Sequence, residues 1–236
     1  MCVIIASQNK NKRPSLETLR ACEAQNPHGG GVAYIENGQV YFRKGLKSGE
    51  IHKLFKNVRG PMVAHFRWAT VGGINDRLCH PFIVSRTSPV ALDGYAKAAL
   101  FHNGTWTSRD KQMAEAGIPS KLKGLVSDSR QAATMVHAAG VGALAEMEGR
   151  YCLITKDGFK LHNDGWTRHN GIWFSNMRWH ISRPVVALYK TTRRAPTKQG
   201  RRRRATTRED ILGSSQSTFE LLMDQENGTN SRNWPD

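Results

Sequence analysis

Apolar residues fall in short runs along this chain, and the spacing inside each run predicts the element it forms. Val3-Ile4-Ile5-Ala6 is unbroken and largely β-branched, the pattern of a buried strand. Pro14-Ser15 then opens a helix with Leu16, Leu19 and Cys22 at helical spacing, ending near Asn26-Pro27. His28-Gly29-Gly30-Gly31 follows; three glycines permit positive φ or a close backbone approach, and are also an ordinary loop sequence. Val32-Ala33-Tyr34-Ile35 and Val40-Tyr41-Phe42 flank Asn37-Gly38, a strong hairpin signal. A short helix is predicted over 48–55 and a strand over 61–67. Leu100-Phe101-His102 reads as a strand end that breaks at Asn103-Gly104. Asp128 is placed to cap a helix carrying Ala132, Met135 and Val136. Tyr151-Cys152-Leu153-Ile154 and Phe159-Lys160-Leu161 make a hairpin around Asp157-Gly158, and Gly171-Ile172-Trp173-Phe174-Ser175 is one more strand. Strands dominate the middle, helices come in two places and no internal repeat is visible, which predicts an α+β layered domain over 1–189.

The pattern ends there. Residues 190–208 contain Lys190, Arg193, Arg194, Lys198, Arg201, Arg202, Arg203, Arg204 and Arg208, and no acid. The net charge is +16, from 35 basic and 19 acidic residues, and removing those nine leaves a mildly basic body. Residues 213–236 are rich in Ser, Asn, Gln and Thr, with only Phe219-Glu220-Leu221-Leu222-Met223 suited to dock as a helical turn. The expectation for 190–236 is a basic, then polar, largely disordered tail. The run Arg201-Arg202-Arg203-Arg204 suits nucleic-acid phosphates, whose binding would fall steeply with salt. An acidic partner or a plain solvated tail would be served by the same residues.

Several classes are excluded on this reading. No stretch approaches the ~18 apolar residues of a membrane span, and the N-terminal apolar run is too short for a signal peptide. Cys2, Cys22, Cys79 and Cys152 are scattered without a C-x-x-C pair, which predicts a reducing cytoplasm. His65, Cys79, His80 and His102 match no standard zinc spacing, so no metal is expected. Gly29-Gly30-Gly31 lacks the following Lys-Ser/Thr of a phosphate loop, and no cofactor is expected.

Five features carry candidate chemistry. Cys2, once Met1 is removed, has a thiol and a free α-amine that titrates near neutrality and serves as the local base. Arg67, at a strand end, is a planar fork suited to a carboxylate, and Thr70 adds a hydroxyl. Asn103-Gly104 offers a side-chain amide and an unhindered N–H, the two donors an oxyanion needs. Asp128 suits an ammonium group. Each has a plainer explanation alone: Cys2 as a small residue that permits Met removal, Arg67 in an ion pair, Asn103-Gly104 as a turn, Asp128 as a cap.

The ordered set decides between them. Met1-Cys2, then His65-Phe66-Arg67-Trp68-Ala69-Thr70-Val71-Gly72, His80-Pro81-Phe82, His102-Asn103-Gly104, Ser127-Asp128-Ser129 and Ile172-Trp173-Phe174-Ser175-Asn176 resembles the class II glutamine amidotransferases, which are N-terminal-nucleophile hydrolases. Asn26-Pro27-His28-Gly29-Gly30-Gly31 is similar to their N-x-D-G-x-G element. The resemblance covers about residues 1–180, and its compact wording looks most like bacteriophage-type stand-alone members, which would place the protein in a host cytoplasm.

The resemblance implies a four-layer αββα sandwich with Cys2 at the end of a central strand. It implies glutamine as substrate, hydrolysed to glutamate and ammonia through a Cys2 thioester. Asn103 and Gly104 would stabilise the oxyanion, Arg67 and Thr70 the α-carboxylate, and Asp128 the α-ammonium. Trp68 would pack at the pocket edge and His80 would order the loop over it. The ammonia would pass to a separate synthase partner, since nothing after residue 189 is large enough to be one. Departures are His28 where many members have Asp, Arg130 where the S-D-T-E form has Glu, and Val71 where some have His. A non-catalytic or γ-glutamyl amidohydrolase relative, binding nucleic acid or an acidic partner through its tail, is the alternative.

Overall fold

The computed structural model describes residues 2–181. The expected boundary at 189, the basic run and the polar segment beyond it lie outside the described residues.

Two antiparallel sheets form the body. Strands β1 (Val3–Ser7), β2 (Gly30–Glu36), β3 (Gln39–Leu46), β4 (Met62–Phe66) and β6 (Asp93–Ala96) belong to the larger one, with β10 (Thr167–His169) and β11 (Ile172–Phe174). Its order is β10-β11-β1-β4-β2-β3-β6. The smaller sheet runs β5-β7-β8-β9, where β5 is Phe82–Ile83, β7 Ala98–Asn103, β8 Arg150–Thr155 and β9 Gly158–His162. The helices are α1 (Leu16–Gln25), α2 (Ser48–Asn57), α3 (Arg109–Glu115), α4 (Asp128–Ala139) and α5 (Arg178–Ile181). No helix among the described residues is long and apolar enough to cross a membrane.

Successive strand residues face opposite sides, and here both sides are covered. Val3 and Ile5 of β1, with Met62, Ala64 and Phe66 of β4, pack on Leu19 and Cys22 of α1 and Ile51 and Phe55 of α2. The alternate residues Ile4, Ala6 and Val63 share a core with Ala99, Phe101, Cys152 and Ile154 of the smaller sheet. The other face of that sheet, Leu100, Tyr151 and Leu153, packs on Ala132, Ala133, Met135 and Val136 of α4. Burial on both faces is why β1 reads as an unbroken apolar run rather than an alternating one. Each fully buried Val or Ile contributes about 1.5–3 kcal/mol relative to exposure.

Register places the candidate residues. In the antiparallel pairing of β1 with β4, Val3 faces Phe66 and Ser7 faces Met62. The start of β1 and the end of β4 therefore lie at one end of the sheet, and Cys2 and Arg67 are brought side by side across a long sequence separation. On the other flank of β1, Ile5 faces Phe174 of β11, which delivers Ser175 and Asn176 to the same end.

Two expectations are corrected. Gly30 and Gly31 are not loop: they open β2, with a register shift between them. Gly31 is needed for close approach, since a Cβ there would lie 1.9 Å from the His80 carbonyl oxygen. Asp128 is not the helix cap. Ser127 caps α4, its hydroxyl accepting the Arg130 N–H at 3.2 Å, which leaves Asp128 as the first helical residue with its carboxylate free for other donors.

Candidate active site

Cys2 immediately precedes β1 and is 9% exposed. Its thiol contacts the backbone of one residue twice: Sγ accepts the Trp68 N–H at 3.3 Å and donates to the Trp68 carbonyl at 3.4 Å. Asn176 fixes the Cys2 backbone by donating to its carbonyl at 2.7 Å. Burial pushes the thiol above its ordinary pKa. The Trp68 N–H and the Arg67 charge oppose this, and Asp128 adds to it. The thiol is therefore protonated at neutral pH, and a nucleophilic role requires a base.

The Sγ opens on a small recess that is also lined by Arg67, Trp68, Thr70, His80, Gly104 and Asp128. Seven of the eight body residues singled out in the sequence are thus gathered at one place. Free space within it is about 10 Å³, room for roughly one water.

Arg67 is nearly buried, and its fork is turned onto its own loop: Nη1 donates to the Gly73 carbonyl at 2.8 Å and Nη2 to Val71 at 3.1 Å. Three of the five guanidinium N–H groups are left for other acceptors. The same loop is held by His28, whose Nδ1 accepts the Ala69 N–H at 3.0 Å and whose ring stacks on Trp68 at 5.1 Å. Trp68 itself is 43% exposed. Thr70 and Thr105 hydroxyls meet at 3.4 Å, joining this loop to the one after Gly104.

Asp128 is buried and accepts N–H groups from Trp106 at 3.1 Å and Ser129 at 2.8 Å. Among the described residues no cation pairs with it closely; His102 Nδ1 is 4.0 Å away and meets the Ser129 hydroxyl at 3.0 Å. Burial lowers the His102 pKa, with Asp128 opposing that shift, and the ring stacks flat on Tyr151 at 4.5 Å. Gly104 lies against Gly149: a Cβ at Gly104 would come within 2.7 Å of the Gly149 Cα. That contact explains glycine at 104; at Gly149, with φ +108°, a Cβ would instead meet the His102 ring.

Asn103 is the residue the structure does not place in the recess. Its amide Nδ2 donates to the Ser175 hydroxyl at 2.7 Å, and its Oδ1 is buried without a partner among the described residues. The same hydroxyl accepts the Ile4 N–H at 2.8 Å, so Ser175 links Asn103 to the nucleophile's strand. Behind the recess, His80 and His65 pack with ring centroids 3.9 Å apart, and no ring nitrogen of either has a partner among the described residues. Burial holds both far below the ordinary imidazole range. Among the described residues no group of His, Cys, Asp or Glu is arranged to hold a metal ion. Arg201, Arg202, Arg203 and Arg204 lie outside the described residues.

Sequence reasoning did not single out His28, Ser175 or Asn176 as site residues, nor His102, Ser127 and Ser129, which line the recess. The signal was present, since all six sit inside motifs that carry the resemblance.

No family model matches the chain. Relatives do match, among them the glutamine–fructose-6-phosphate aminotransferase of Corynebacterium diphtheriae, 38% identical over 96 residues, and that of Corynebacterium efficiens, 32% identical over 130 residues. The chain is similar to glutamine-dependent aminotransferases. The matches cover 38% and 51% of this chain but only 14% and 19% of those proteins, so it spans under a fifth of their length. Its fold is similar to that of the glutamine phosphoribosylpyrophosphate amidotransferase of B. subtilis, with a TM-score of 0.50 at 15% identity, covering 74% of this chain and 41% of that one.

Proposed function

We propose that this chain is a class II glutamine amidotransferase domain, built as a four-layer αββα sandwich, that hydrolyses glutamine to glutamate and ammonia through a Cys2 thioester and passes the ammonia to a synthase. The observation that carries it is the recess itself. A buried thiol at the start of a central strand shares it with a buried guanidinium and a buried carboxylate that lacks a close cation. Those two charges suit the ends of an α-amino acid. The three apolar cores, helix on sheet, sheet on sheet and sheet on helix, support the layered architecture. The glutamine-dependent relatives support the substrate.

In this reading, loss of Met1 exposes the Cys2 α-amine. That amine takes the Sγ proton as sulfur attacks the glutamine side-chain carbonyl carbon. The C–N bond breaks, the proton goes to the departing nitrogen, and ammonia leaves a γ-glutamyl thioester. Water, deprotonated by the same amine, cleaves the thioester and regenerates the thiol. Arg67 and Thr70 receive the α-carboxylate and Asp128 the α-ammonium. Trp68 and His80 wall the pocket. With about 10 Å³ free at rest, glutamine enters only when the 68–75 loop moves. The Arg67 contacts to Val71 and Gly73 are then exchanged for the substrate carboxylate.

The oxyanion receives the Gly104 N–H and the Asn103 amide. The amide's two orientations differ only in which end is nitrogen. Turned over, its Oδ1 accepts the Ser175 hydroxyl proton, which satisfies the orphaned oxygen and frees Nδ2 to donate toward the site.

The test is glutamate release from glutamine by protein shown by intact mass to lack Met1. Release that is abolished in Cys2→Ala supports the reading; release unchanged in that variant defeats it. Contact of Arg201–Arg204 with nucleic acid is a separate proposal, and it fails if deleting 190–236 leaves DNA and RNA binding at low salt unchanged.

A further inference from the structure

A second cavity lies on the other side of α4 from its N-terminal residue, with no lining residue in common with the Cys2 recess. Its volume is about 440 Å³, within the range of small-molecule sites. One wall is a stripe of α4 at helical spacing: Arg130, Thr134, His137 and Ala138. The opposite wall is the 117–123 segment, whose Ile118, Pro119 and Leu122 supply the apolar surface, and the third is the turn at Arg86 and Thr87.

Charge is arranged one way around it. Arg86, Lys121 and Lys123 are exposed at the rim, and no acidic residue lines the cavity among the described residues. The wall is cationic too. Arg130 is buried, and its guanidinium donates only to backbone carbonyls: Ser88 at 2.7 Å, Thr87 and Lys123 at 2.9 Å, and Leu125. Those bonds pin the 87–88 and 123–125 segments against α4 and shape the cavity, yet they leave the charge uncompensated. No carboxylate pairs with Arg130 among the described residues. A buried cation without a counter-ion is costly, and an anion seated beside it recovers that cost.

We propose that this cavity binds an amphipathic organic anion. A carboxylate or phosphate head sits between Arg86, Lys121 and Lys123 in the field of Arg130, and an apolar body lies on Ile118, Leu122 and Ala138. Neither half suffices alone: the rim lysines offer no shape, and the apolar wall offers no charge selection. The proposal does not depend on the glutaminase reading, because it uses none of the recess residues.

Fluorescence titration of the full-length protein with anilinonaphthalene sulfonate, an anion with an apolar ring system, tests it. Its uncharged counterpart phenylnaphthylamine isolates the charge, and inorganic phosphate isolates the head group. Saturable dye binding is expected, about tenfold weaker for the uncharged probe and about tenfold weaker in the Lys121→Glu/Lys123→Glu variant, since two reversed charges near one anion are worth at least about 1.4 kcal/mol. Ala138→Trp, at an exposed helix position, fills the apolar side and is expected to weaken the dye comparably at unchanged Tm. The basic run at 190–208 gives the same background in every variant. Equal binding of charged and uncharged probes overturns the proposal, as does unchanged affinity in both variants. Displacement of the dye by inorganic phosphate at the dye's own concentration also overturns it, reducing the cavity to a bare cationic patch.

Discussion

At the scale of single residues, the site is a set of side chains already committed to neighbours. The Cys2 thiol is bonded to Trp68, the Arg67 fork to Val71 and Gly73, and the Asn103 amide to Ser175. Asn103→Ala is expected to lower kcat for glutamate release by about 10²–10³-fold, the usual cost of one oxyanion donor, with KM little changed. Ser175→Ala removes the hydroxyl that serves both the Ile4 N–H and Asn103. It is expected to cost about 1–3 kcal/mol in denaturant unfolding and to lower kcat as well, because it releases the amide. Arg67→Lys keeps the charge but loses the fork, so KM for glutamine should rise more than kcat falls. At this scale the sequence supplies candidate residue types but not their resting partners. From sequence Arg67 is a candidate fork for a carboxylate, whereas its hold on the carbonyls of its own loop depends on a loop path that no pattern of residue types encodes.

At the scale of elements, buried titratable groups make stability depend on pH. His65, on β4, and His80 are buried neutral, with pKa values held down first by desolvation. The unfolded chain takes up these protons below about pH 6.5 while the folded one does not, so stability falls as pH falls through that value. The expected slope is about 1.4 kcal/mol per pH unit for each imidazole, and His65→Leu should flatten it in urea titrations between pH 6.5 and 5. Lys44, on β3, sits over the Phe82 ring at 4.5 Å, and burial pushes it down to about 7. Between that value and its unfolded pKa near 10.4 the unfolded state binds the extra proton, so stability rises with pH from 7 toward 10. Lys44→Met should be more stable than wild type at pH 7, with the gap closing by pH 10.

Elements with a strong apolar period were legible: β1, α1, α2, β4 and the β8–β9 hairpin all lie where the pattern puts them. Two of those that were missed carry little apolar signal. β6 is the exposed edge strand Asp93-Gly94-Tyr95-Ala96, and α3 has Met113 as its one buried residue. Both are held by neighbours rather than by their own pattern.

At the scale of the whole molecule, one arrangement explains the rest. Antiparallel register puts the start of β1, the end of β4 and the end of β11 together, and the smaller sheet's β7 brings Gly104 to the same end. The ordered motifs were visible in the sequence, most at strand ends and Ser127-Asp128-Ser129 at the start of α4, but their convergence needed the register. The central claim is that Cys2 is a glutamine-directed nucleophile. Its most direct test is mass spectrometry of the Met1-free protein after brief exposure to a γ-electrophilic glutamine analogue. The account predicts a single adduct on Cys2, blocked by excess glutamine and absent in Cys2→Ala. Label that spreads over Cys22, Cys79 and Cys152, or a Cys2 adduct that glutamine does not block, would contradict it.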